Sequence, residues 1–361
     1  MISLSVCMIV RDEEDVLERC LNCVNKIADE IIVVDTGSID STKKIAQKFS
    51  TKVYDFTWCY DFSKARNYSF SKATKEYIMW IDADDVISES EISKIITLKE
   101  KLSDKKVDVV NLKYSLGNNQ KGNSSLLYYR ERIVKNNANF KWIGQIHEVI
   151  IPKGIVIYED IVITHAKIKK GDPTRNLKIF QKMIKDGITF DSRQKFYYAR
   201  ELYYLKDYEN AIKAYNLFLS DKNAWSENII CAYSDLAYIY EEKKDYKKMY
   251  ECLINTLSLD FPSSQICCQF GFYFIYNEKV DIATKWFMLA RTQTEDLKSG
   301  KFYYSIYKEY IANIMLCVCY DKLKNYELSN FYNEEAGKYD NTDKIYLNNK
   351  QYLEKMLNFN N

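Results

Sequence analysis

Apolar runs and polar breaks alternate at the start of the chain in a pattern that predicts a parallel α/β sheet. Residues 4–10 and 30–34 are apolar runs, and each ends at a charged residue, Arg11 and Asp35 respectively. Between them, residues 16–24 carry apolar positions at helical spacing. A strand, a helix and a second strand at this spacing form a right-handed unit with parallel strands. Both polar breaks are therefore expected at one edge of the sheet, which is where open α/β sheets bind ligands.

A third apolar run leads directly into a cluster of carboxylates. Residues 77–81 are followed by Asp82, Asp84 and Asp85. A buried strand cannot keep charges in its interior, so this strand should end where the carboxylates begin. Carboxylates this close repel one another, and Mg²⁺ or Mn²⁺ between them would relieve the repulsion while binding substrate phosphates. The alternative is a solvated acidic turn before a helix that starts near Ser88.

The loop after the second strand has groups suited to a nucleotide. Asp35 can accept hydrogen bonds from a ribose or a base, and Gly37 can adopt a positive φ. Asp40 or Ser41 can cap the helix that follows, so a capped turn without a ligand is the alternative. The glycine patterns of P-loop and Rossmann dinucleotide sites are missing from this sequence.

Four segments in chain order resemble the motifs of family 2 glycosyltransferases. They are Val10-Arg11-Asp12-Glu13, Val34-Asp35-Thr36-Gly37-Ser38 with Asp40-Ser41-Thr42, residues 58–67, and Asp82-Ala83-Asp84. More narrowly, the chain resembles members that join a GT-A catalytic domain to a tetratricopeptide-like helical tail, such as peptide S-glycosyltransferases of the sublancin type and some flagellin glycosyltransferases. The resemblance covers roughly residues 1–175 by motif and the remainder by architecture.

This resemblance implies a UDP-sugar donor together with Mn²⁺ or Mg²⁺. Asp35 would contact the nucleoside, Asp82 would lie near the ribose or the donor sugar, and Asp84 would hold the metal ion that bridges the diphosphate. The residues expected at the nucleotide sugar are Val10, Arg11, Glu13, Asp35, Arg66, Asp82, Ala83 and Lys170. The family usually has Asn-Glu-Glu where this chain has Asp12-Glu13-Glu14.

Basic residues occur at two places where an anion is expected. Arg66 falls near the start of a predicted helix, where a cation is unfavourable to the helix dipole, so it should face an anion or a carboxylate such as the acidic cluster. Lys167, Lys169, Lys170 and Arg175 could neutralise the departing nucleoside diphosphate. A solvated arginine and a solvated linker are the respective alternatives.

The chain contains only two histidines, His147 and His165, and both lie in the first half. Histidine is a common metal ligand and acts as an acid or base near neutral pH, although a structural histidine is the alternative for each. We expect His165 to contact the metal or a phosphate. Glu148 or His147 would be the general base that takes the acceptor proton, and the resemblance supports this because a Gly-x-x-His-Glu segment recurs in these enzymes.

The remainder of the chain predicts a helical repeat domain. The segments at 206–211, 244–249, 278–283 and 324–329 are alike, with gaps of 38, 34 and 46 residues between equivalent positions. These gaps are typical of a degenerate tetratricopeptide-like array, whose concave surface can hold an extended peptide or a second copy of the chain. Many of the 31 tyrosines could line such a groove or fill the seams between helices.

Length and composition support two domains. A chain of 361 residues exceeds the size of one core, and the rare glycine and proline at 171–173 suggest a boundary between residues 1–171 and 172–361. The net charge of +2 argues against nucleic acid as a partner. No membrane span or signal peptide is recognised and the ten cysteines suit a reducing compartment, so a cytoplasmic location is expected.

The sequence therefore predicts a GT-A domain followed by a tetratricopeptide-like domain in a metal-dependent, inverting glycosyltransferase. The expected reaction moves GlcNAc or Glc from UDP to a Ser, Thr or Cys side chain of a protein or peptide such as flagellin or a bacteriocin. A cell-surface glycan or lipid acceptor and a non-catalytic adaptor are the alternatives. A nucleotidyltransferase is disfavoured because residues 11–14 are not a glycine- and arginine-rich phosphate loop.

Overall fold

The computed structural model describes residues 1–50, 52–104, 106–117, 124–168, 171–294 and 296–359. The chain divides into two compact units, the first made of residues 1–117 and 128–188 and the second of residues 118–127 and 189–361. The helix at 175–185 belongs to the first unit, and its Phe180 is fully buried. The functional division into two domains stays a prediction.

The first unit is built on a mixed sheet. Its strands and those of a small second sheet are β1 (Leu4–Val10), β2 (Glu30–Asp35), β3 (Val53–Asp55), β4 (Tyr77–Trp80), β5 (Asp85–Val86), β6 (Val109–Leu116), β7 (Leu126–Lys135), β8 (Trp142–Ile143), β9 (Val149–Ile150) and β10 (Val156–His165). The large sheet has eight strands among the described residues, in the order β3-β2-β1-β4-β7-β6-β10-β5. β8 and β9 pair separately as an antiparallel hairpin.

The register of the sheet places the three polar breaks at one edge. β1 runs parallel to β2, with Val10 opposite Asp35, and parallel to β4, with Cys7 opposite Trp80. The expectation that these breaks converge is therefore confirmed. β10 adds a further residue to the same region, because its antiparallel pairing with β5 sets His165 opposite Asp85.

Helices cover both faces of this sheet. They are α1 (Leu17–Val24), α2 (Thr42–Phe49), α3 (Phe62–Phe70) and α4 (Glu89–Lys101), while α5 (Arg175–Lys185) follows β10 in the chain. The alternation along β1 divides the core, since Val6 and Met8 pack in one apolar cluster with α1 and α4, whereas Cys7 packs in another with Trp80 and Trp142. α3 begins where the carboxylate of Asp61 accepts the backbone N–H of Lys64 at 3.0 Å.

The regular elements described after residue 189 are helices. They are α6 (Ser192–Tyr204), α7 (Tyr208–Leu219), α8 (Ser226–Glu242), α9 (Tyr246–Leu257), α10 (Ser264–Tyr276), α11 (Val280–Thr292), α12 (Ala312–Lys322), α13 (Tyr326–Tyr339) and α14 (Lys344–Phe359), together with short turns at 297–299 and 307–311. None of the described helices is both long and apolar enough to cross a membrane. The expected fold class, an α/β unit with a mixed sheet followed by an all-α unit, is confirmed.

The turn inside each repeat has the same backbone geometry. Lys206, Lys244, Glu278 and Lys324 each adopt a positive φ, between 55° and 60°. Each precedes the first residue of a second helix by two positions, and in three of the four turns the intervening Asp or Asn caps that helix. The repeat seen in the sequence is thus a repeated helix–turn–helix unit.

We predict that Gly271→Ala destabilises the second unit. A Cβ built at this position would lie 2.5 Å from the ring of Phe287, so α10 and α11 would have to move apart. We expect a loss of about 1–3 kcal/mol in the free energy of unfolding, measured by urea denaturation. A stabilised variant would contradict this, because alanine is otherwise the better helix former by about 1 kcal/mol.

Candidate active site

Asp84, Asp85 and His165 meet at the carboxyl edge of the sheet. The imidazole Nδ1 of His165 lies 3.3 Å from a carboxylate oxygen of Asp84 and 3.7 Å from one of Asp85. One potential ligand atom from each of the three residues can be chosen so that all lie within 4.8 Å of one another. The cluster thus has the donor atoms for a divalent cation.

Asp85 differs from Asp84 in that its oxygens are already bonded. Asp85 is fully buried; its Oδ1 accepts the Tyr114 hydroxyl at 2.8 Å, and its Oδ2 accepts Arg132 and the backbone N–H of Asp82, both at 3.1 Å. Asp84 and His165 are more exposed, with 14% and 26% of their side-chain surface accessible. Asp84 and His165 are therefore the better placed ligands, and Asp85 is suited to hold His165 and Tyr114 in position.

The charge of His165 follows from these neighbours. Hydrogen bonds to the carboxylates of Asp84 and Asp85 raise the pKa of His165 to about 10, against the opposing effect of burial. The imidazolium then carries a positive charge at the centre of the acidic cluster. A divalent cation that used the same nitrogen would have to replace this proton.

Arg132 is the positive charge beneath the cluster. It is fully buried, and its guanidinium lies 3.7 Å from the ring centroid of Trp80 and 4.3 Å from that of Tyr114. Sequence reasoning missed Arg132 and Tyr114 as site residues. The available signal was the run Arg130-Glu131-Arg132 on β7 directly before the apolar pair Ile133-Val134, because a charge that is buried beside such residues requires an opposite charge nearby.

Arg66 joins two acidic residues that lie far apart in sequence. Its Nε donates to Glu148 Oε1 at 2.7 Å, and its second terminal nitrogen donates to Asp82 Oδ1 at 2.8 Å. The guanidinium lies between Trp80 and Trp142, 5.1 and 4.8 Å from their ring centroids. The carboxylate partner expected for Arg66 is present.

The ionisation of Asp82 reflects this pairing. Burial alone would raise the pKa of Asp82, but the charges of Arg66 and Arg132 outweigh it and lower the pKa to about 2. Asp82 is thus a carboxylate at any physiological pH. Arg66 holds Oδ1 of Asp82 in the ion pair and so orients the whole carboxylate.

Two tight contacts fix Glu148 relative to α3. Asn67 exchanges hydrogen bonds with the backbone N–H and C=O of Trp142, both at 2.9 Å, and Phe62 N–H donates to Gln145 C=O at 2.9 Å. The segment then turns with positive φ at Gly144 and at His147. Glu148 consequently points to Arg66.

His147 and Glu148 lie in different surroundings. The ring of His147 stacks on Phe180 of α5, with centroids 6.3 Å apart. Glu148 shares Arg66 with Asp82. Of the two residues predicted as the general base, Glu148 is the one tied to the acidic cluster.

The first two loops are fastened to each other by side chains. Asp12 has a φ of +53°, its N–H donates to Ser38 Oγ at 3.0 Å, and its Oδ1 accepts Ile39 N–H at 2.8 Å. Glu13 N–H donates to Thr42 Oγ1 at 2.7 Å. Asp12 therefore shapes the loop, whereas Arg11 is exposed and lies 3.8 Å from the Asp12 carboxylate.

Asp35 presents a carboxylate oxygen with no partner. Its Oδ1 accepts the backbone N–H groups of Gly37 and Ser38, both at 2.7 Å. Its Oδ2 is buried and has no hydrogen-bond partner among the residues described here. A buried acceptor of this kind is suited to a ligand hydroxyl or N–H.

The remaining predicted contacts are placed as follows. Val10 ends β1 and its C=O accepts both the N–H and the hydroxyl of Thr36 at 3.0 Å. Ala83 is buried between the two acidic positions. Lys170 lies outside the described residues.

Arg19 of α1 was not anticipated; it donates to Ala166 C=O at 2.6 Å and to Asp84 C=O at 3.4 Å, and so ties the acidic turn to the end of β10.

A family comparison indicates the class of this domain. Residues 5–163 match the family model described as glycosyl transferase family 2, a span that contains Asp35, Asp82, Asp84 and Glu148. This part of the chain is therefore similar to family 2 glycosyltransferases.

Two curated relatives resemble particular parts of the chain. A TPR repeat-containing protein of Synechococcus elongatus is 47% identical over 85 residues, which is 24% of this chain and 21% of that protein. The SPbeta prophage-derived glycosyltransferase SunS of Bacillus subtilis is 28% identical over 218 residues, or 57% of this chain and 50% of that protein. The chain thus spans half or less of the length of these relatives.

Among solved structures, residues 1–349 of TarS from S. aureus are similar at a TM-score of 0.36 and 14% identity, covering 84% of this chain and 96% of that one. A likeness at this level carries no conclusion about the present chain.

Proposed function

We propose that the chain transfers a sugar from a UDP-sugar to a Ser, Thr or Cys side chain of a protein or peptide, with inversion at the anomeric carbon. The observation that carries this proposal is the convergence of Asp35, Asp82, Asp84 and His165 at one sheet edge, with Glu148 joined to it through Arg66. The match to family 2 and the similarity to a bacterial glycosyltransferase support it.

The donor would lie along the loops at the ends of β1 and β2. The unpartnered Oδ2 of Asp35 would accept a hydrogen bond from the nucleoside. The interlocked loop around Asp12 keeps the neighbouring backbone rigid, so little ordering is needed when the nucleotide binds. Val10, Arg11, Glu13, Ala83 and Lys170 belong to this proposed contact surface.

Asp84 and His165 would hold a divalent cation, Mn²⁺ or Mg²⁺. Bound there, the cation would stabilise the charge that builds up on the diphosphate as it leaves. Asp85, fixed by Tyr114 and Arg132, keeps the imidazole of His165 turned toward Asp84. A carboxylate and an imidazole together suit Mn²⁺ better than Mg²⁺, which prefers oxygen ligands only.

Glu148 would take the proton from the acceptor. Arg66 Nε holds its carboxylate at 2.7 Å, and a carboxylate is the group that can accept a proton in general base catalysis. Arg66 also binds Asp82, which lies next to the proposed donor site, so one side chain would set the distance between donor and base. Arg66 is thus a positioning residue in this proposal.

We predict that Glu148→Gln lowers the transfer rate by about 10²–10⁴-fold, the usual contribution of a general base. Binding of UDP should change little, because glutamine keeps the shape of the side chain and accepts from Arg66. Rates are measured as UDP released, and affinity by calorimetry. His147→Asn serves as the matched control and should keep most of the rate; full activity in Glu148→Gln would remove Glu148 from the base role.

The function as a whole is tested by incubating the protein with a panel of UDP-sugars and Mn²⁺ and measuring UDP release. Release with one or two sugars is expected, and mass spectrometry of proteins encoded nearby should then find the modified side chain. If calorimetry detected neither Mn²⁺ nor UDP binding, the proposal would fail and a non-catalytic adaptor would be favoured. Modification of a glycan or a lipid alone would show that the acceptor is misassigned.

A cytoplasmic location and a dimer formed through the helical part remain predictions.

A further inference from the structure

The second unit contains a polar groove that the proposed reaction does not use. Its volume is about 400 Å³, within the range of ligand sites, and it is lined by α11, α12, α13 and residues 124–127 and 303–309. Its lining carries the cations Arg291, Lys308 and Lys338 and the carboxylates Glu309 and Glu335. The groove is therefore polar and slightly positive.

Asn313 lines this groove with an acceptor that lacks a donor. The residue is 4% exposed, and its Nδ2 donates to the backbone C=O of Glu309 at 2.8 Å. A carbonyl can only accept, so this bond fixes which end of the amide is nitrogen. The other end, Oδ1, is buried and has no hydrogen-bond partner in the described parts of the chain.

The helix leading to Asn313 is irregular at the groove. Residues 307–311 form a π turn, in which the N–H of Ala312 donates to the C=O of Tyr307. Lys308 and Glu309 of this turn line the groove. Turns of this type interrupt helices mostly at functional sites, because they cost stability and change the direction of the side chains that follow.

The same walls already bind extended main chain. Leu127 and Tyr303 exchange two backbone hydrogen bonds, of 2.9 and 3.2 Å, as an antiparallel bridge. The C=O of Ser124 accepts the hydroxyl of Tyr339 at 3.2 Å and also that of Ser305. These two hydroxyls thus hold a main-chain carbonyl of the chain itself, whereas Asn313 Oδ1 is an acceptor left for a main-chain N–H.

We propose that this groove binds an extended polypeptide segment whose backbone N–H donates to Asn313 Oδ1. An extended segment presents backbone N–H groups that Asn313 Oδ1 can accept, beside a wall that already pairs with the extended main chain at Leu127. The slight positive charge favours segments with neutral or acidic side chains. The inference rests on the proposed function in taking the acceptor to be a polypeptide, and it places part of the acceptor on the second unit.

The test uses the full chain without UDP-sugar or metal. A fluorescein-labelled synthetic peptide of Ser, Thr, Gly and Asp is titrated by fluorescence anisotropy at low salt. Saturable binding is expected, and Asn313→Ala should weaken it by about 5- to 10-fold, as expected for one lost hydrogen bond. Asn255→Ala is the matched control, because Asn255 makes the same bond to the carbonyl four residues earlier, at 2.9 Å, on an exposed face of α9. It should leave the affinity unchanged.

Two further measurements make the outcome decisive. The same peptide with N-methylated backbone amides should lose its binding; equal binding would overturn main-chain recognition. Hydrogen exchange of the unsubstituted protein should slow at residues 303–313 when the peptide is added, which decides the question even if Asn313→Ala fails to fold. No binding of the peptide, or protection elsewhere only, would overturn the proposal, while UDP release measured separately would still report on the first unit.

Discussion

Replacing Asp84 with Asn should lower the turnover of a UDP-sugar by about 10³-fold or more, because the change removes the carboxylate that is proposed to hold the metal ion together with His165. In the described part of the chain the Asp84 carboxylate pairs with His165, which is itself held by Asp85 and Tyr114, so the loss of Asp84 should alter folding little. Turnover is measured as UDP released in the presence of Mn²⁺. Calorimetry of the same variant should show at least a tenfold weaker binding of Mn²⁺.

Asp160→Asn provides the comparison for this variant. Asp160 lies on β10, the strand that carries His165, but it is exposed and pairs with Lys113 at 2.6 Å. Its replacement should leave both turnover and Mn²⁺ binding within about twofold, as for most exposed ion pairs. Equal losses in the two variants would mean that Asp84 acts through general surface charge, and unchanged turnover in Asp84→Asn would refute the metal site.

The arrangement of the acidic edge could be predicted because it depends on short-range patterns. An apolar run that stops at Asp35 or Asp82 marks the end of a strand, and parallel strands joined by helices must end on one edge. The same holds for the repeats, since each turn has a left-handed residue after the first helix and three of the four have an Asp or Asn that caps the next helix.

Other parts of the site depend on contacts that no local pattern reveals. Arg66 and Glu148 are 82 residues apart, and Arg132 and Asp85 are 47 residues apart. Which arginine pairs with which carboxylate follows from the strand order, where β7 lies beside β4 although several elements separate them in the chain.

These pairings determine which carboxylates of the site already have a cationic partner. Asp82 and Glu148 share Arg66 and Asp85 pairs with Arg132, all within 3.1 Å, whereas in the described part of the chain the ion-pair partner of Asp84 is the imidazole of His165. Two arginines thus hold three of the carboxylates, and Asp84 is the one best placed to exchange its partner for a metal ion. A site built this way can bind and release a metal ion without exposing the other carboxylates to mutual repulsion.

The pairing of these charges depends most on Arg66, because it binds two of the carboxylates. The substitution Arg66→Met should therefore lower the free energy of unfolding by about 3–5 kcal/mol. The substitution leaves Asp82 and Glu148 partly buried without their shared cation. It should also lower turnover by about 10²-fold or more, since the distance between donor and base is no longer fixed. Urea unfolding followed by tryptophan fluorescence reports on the change, because Trp80 and Trp142 flank the guanidinium.

Lys26→Met tests whether any lost cation has this effect. Lys26 pairs with Glu89 on the surface of the same unit, with 49% and 77% of the side chains exposed, so its loss should cost no more than about 0.5 kcal/mol. Arg66→Lys should fall between the two, because an ammonium group cannot donate to both carboxylates in the planar geometry of a guanidinium.

The pH dependence separates lost charge from lost packing. In the unsubstituted protein, the pKa of Asp82 is lowered to about 2, below its value in the unfolded chain, so this group contributes stability above about pH 4 that is lost as the pH falls toward 2. Without Arg66 the folded-state pKa should rise above the unfolded value, which reverses the sign. The deficit of Arg66→Met should then be largest near neutral pH and shrink below about pH 5, as the unpaired carboxylates take up protons. A deficit that stayed constant with pH would assign the role of Arg66 to packing between the two indole rings and not to charge.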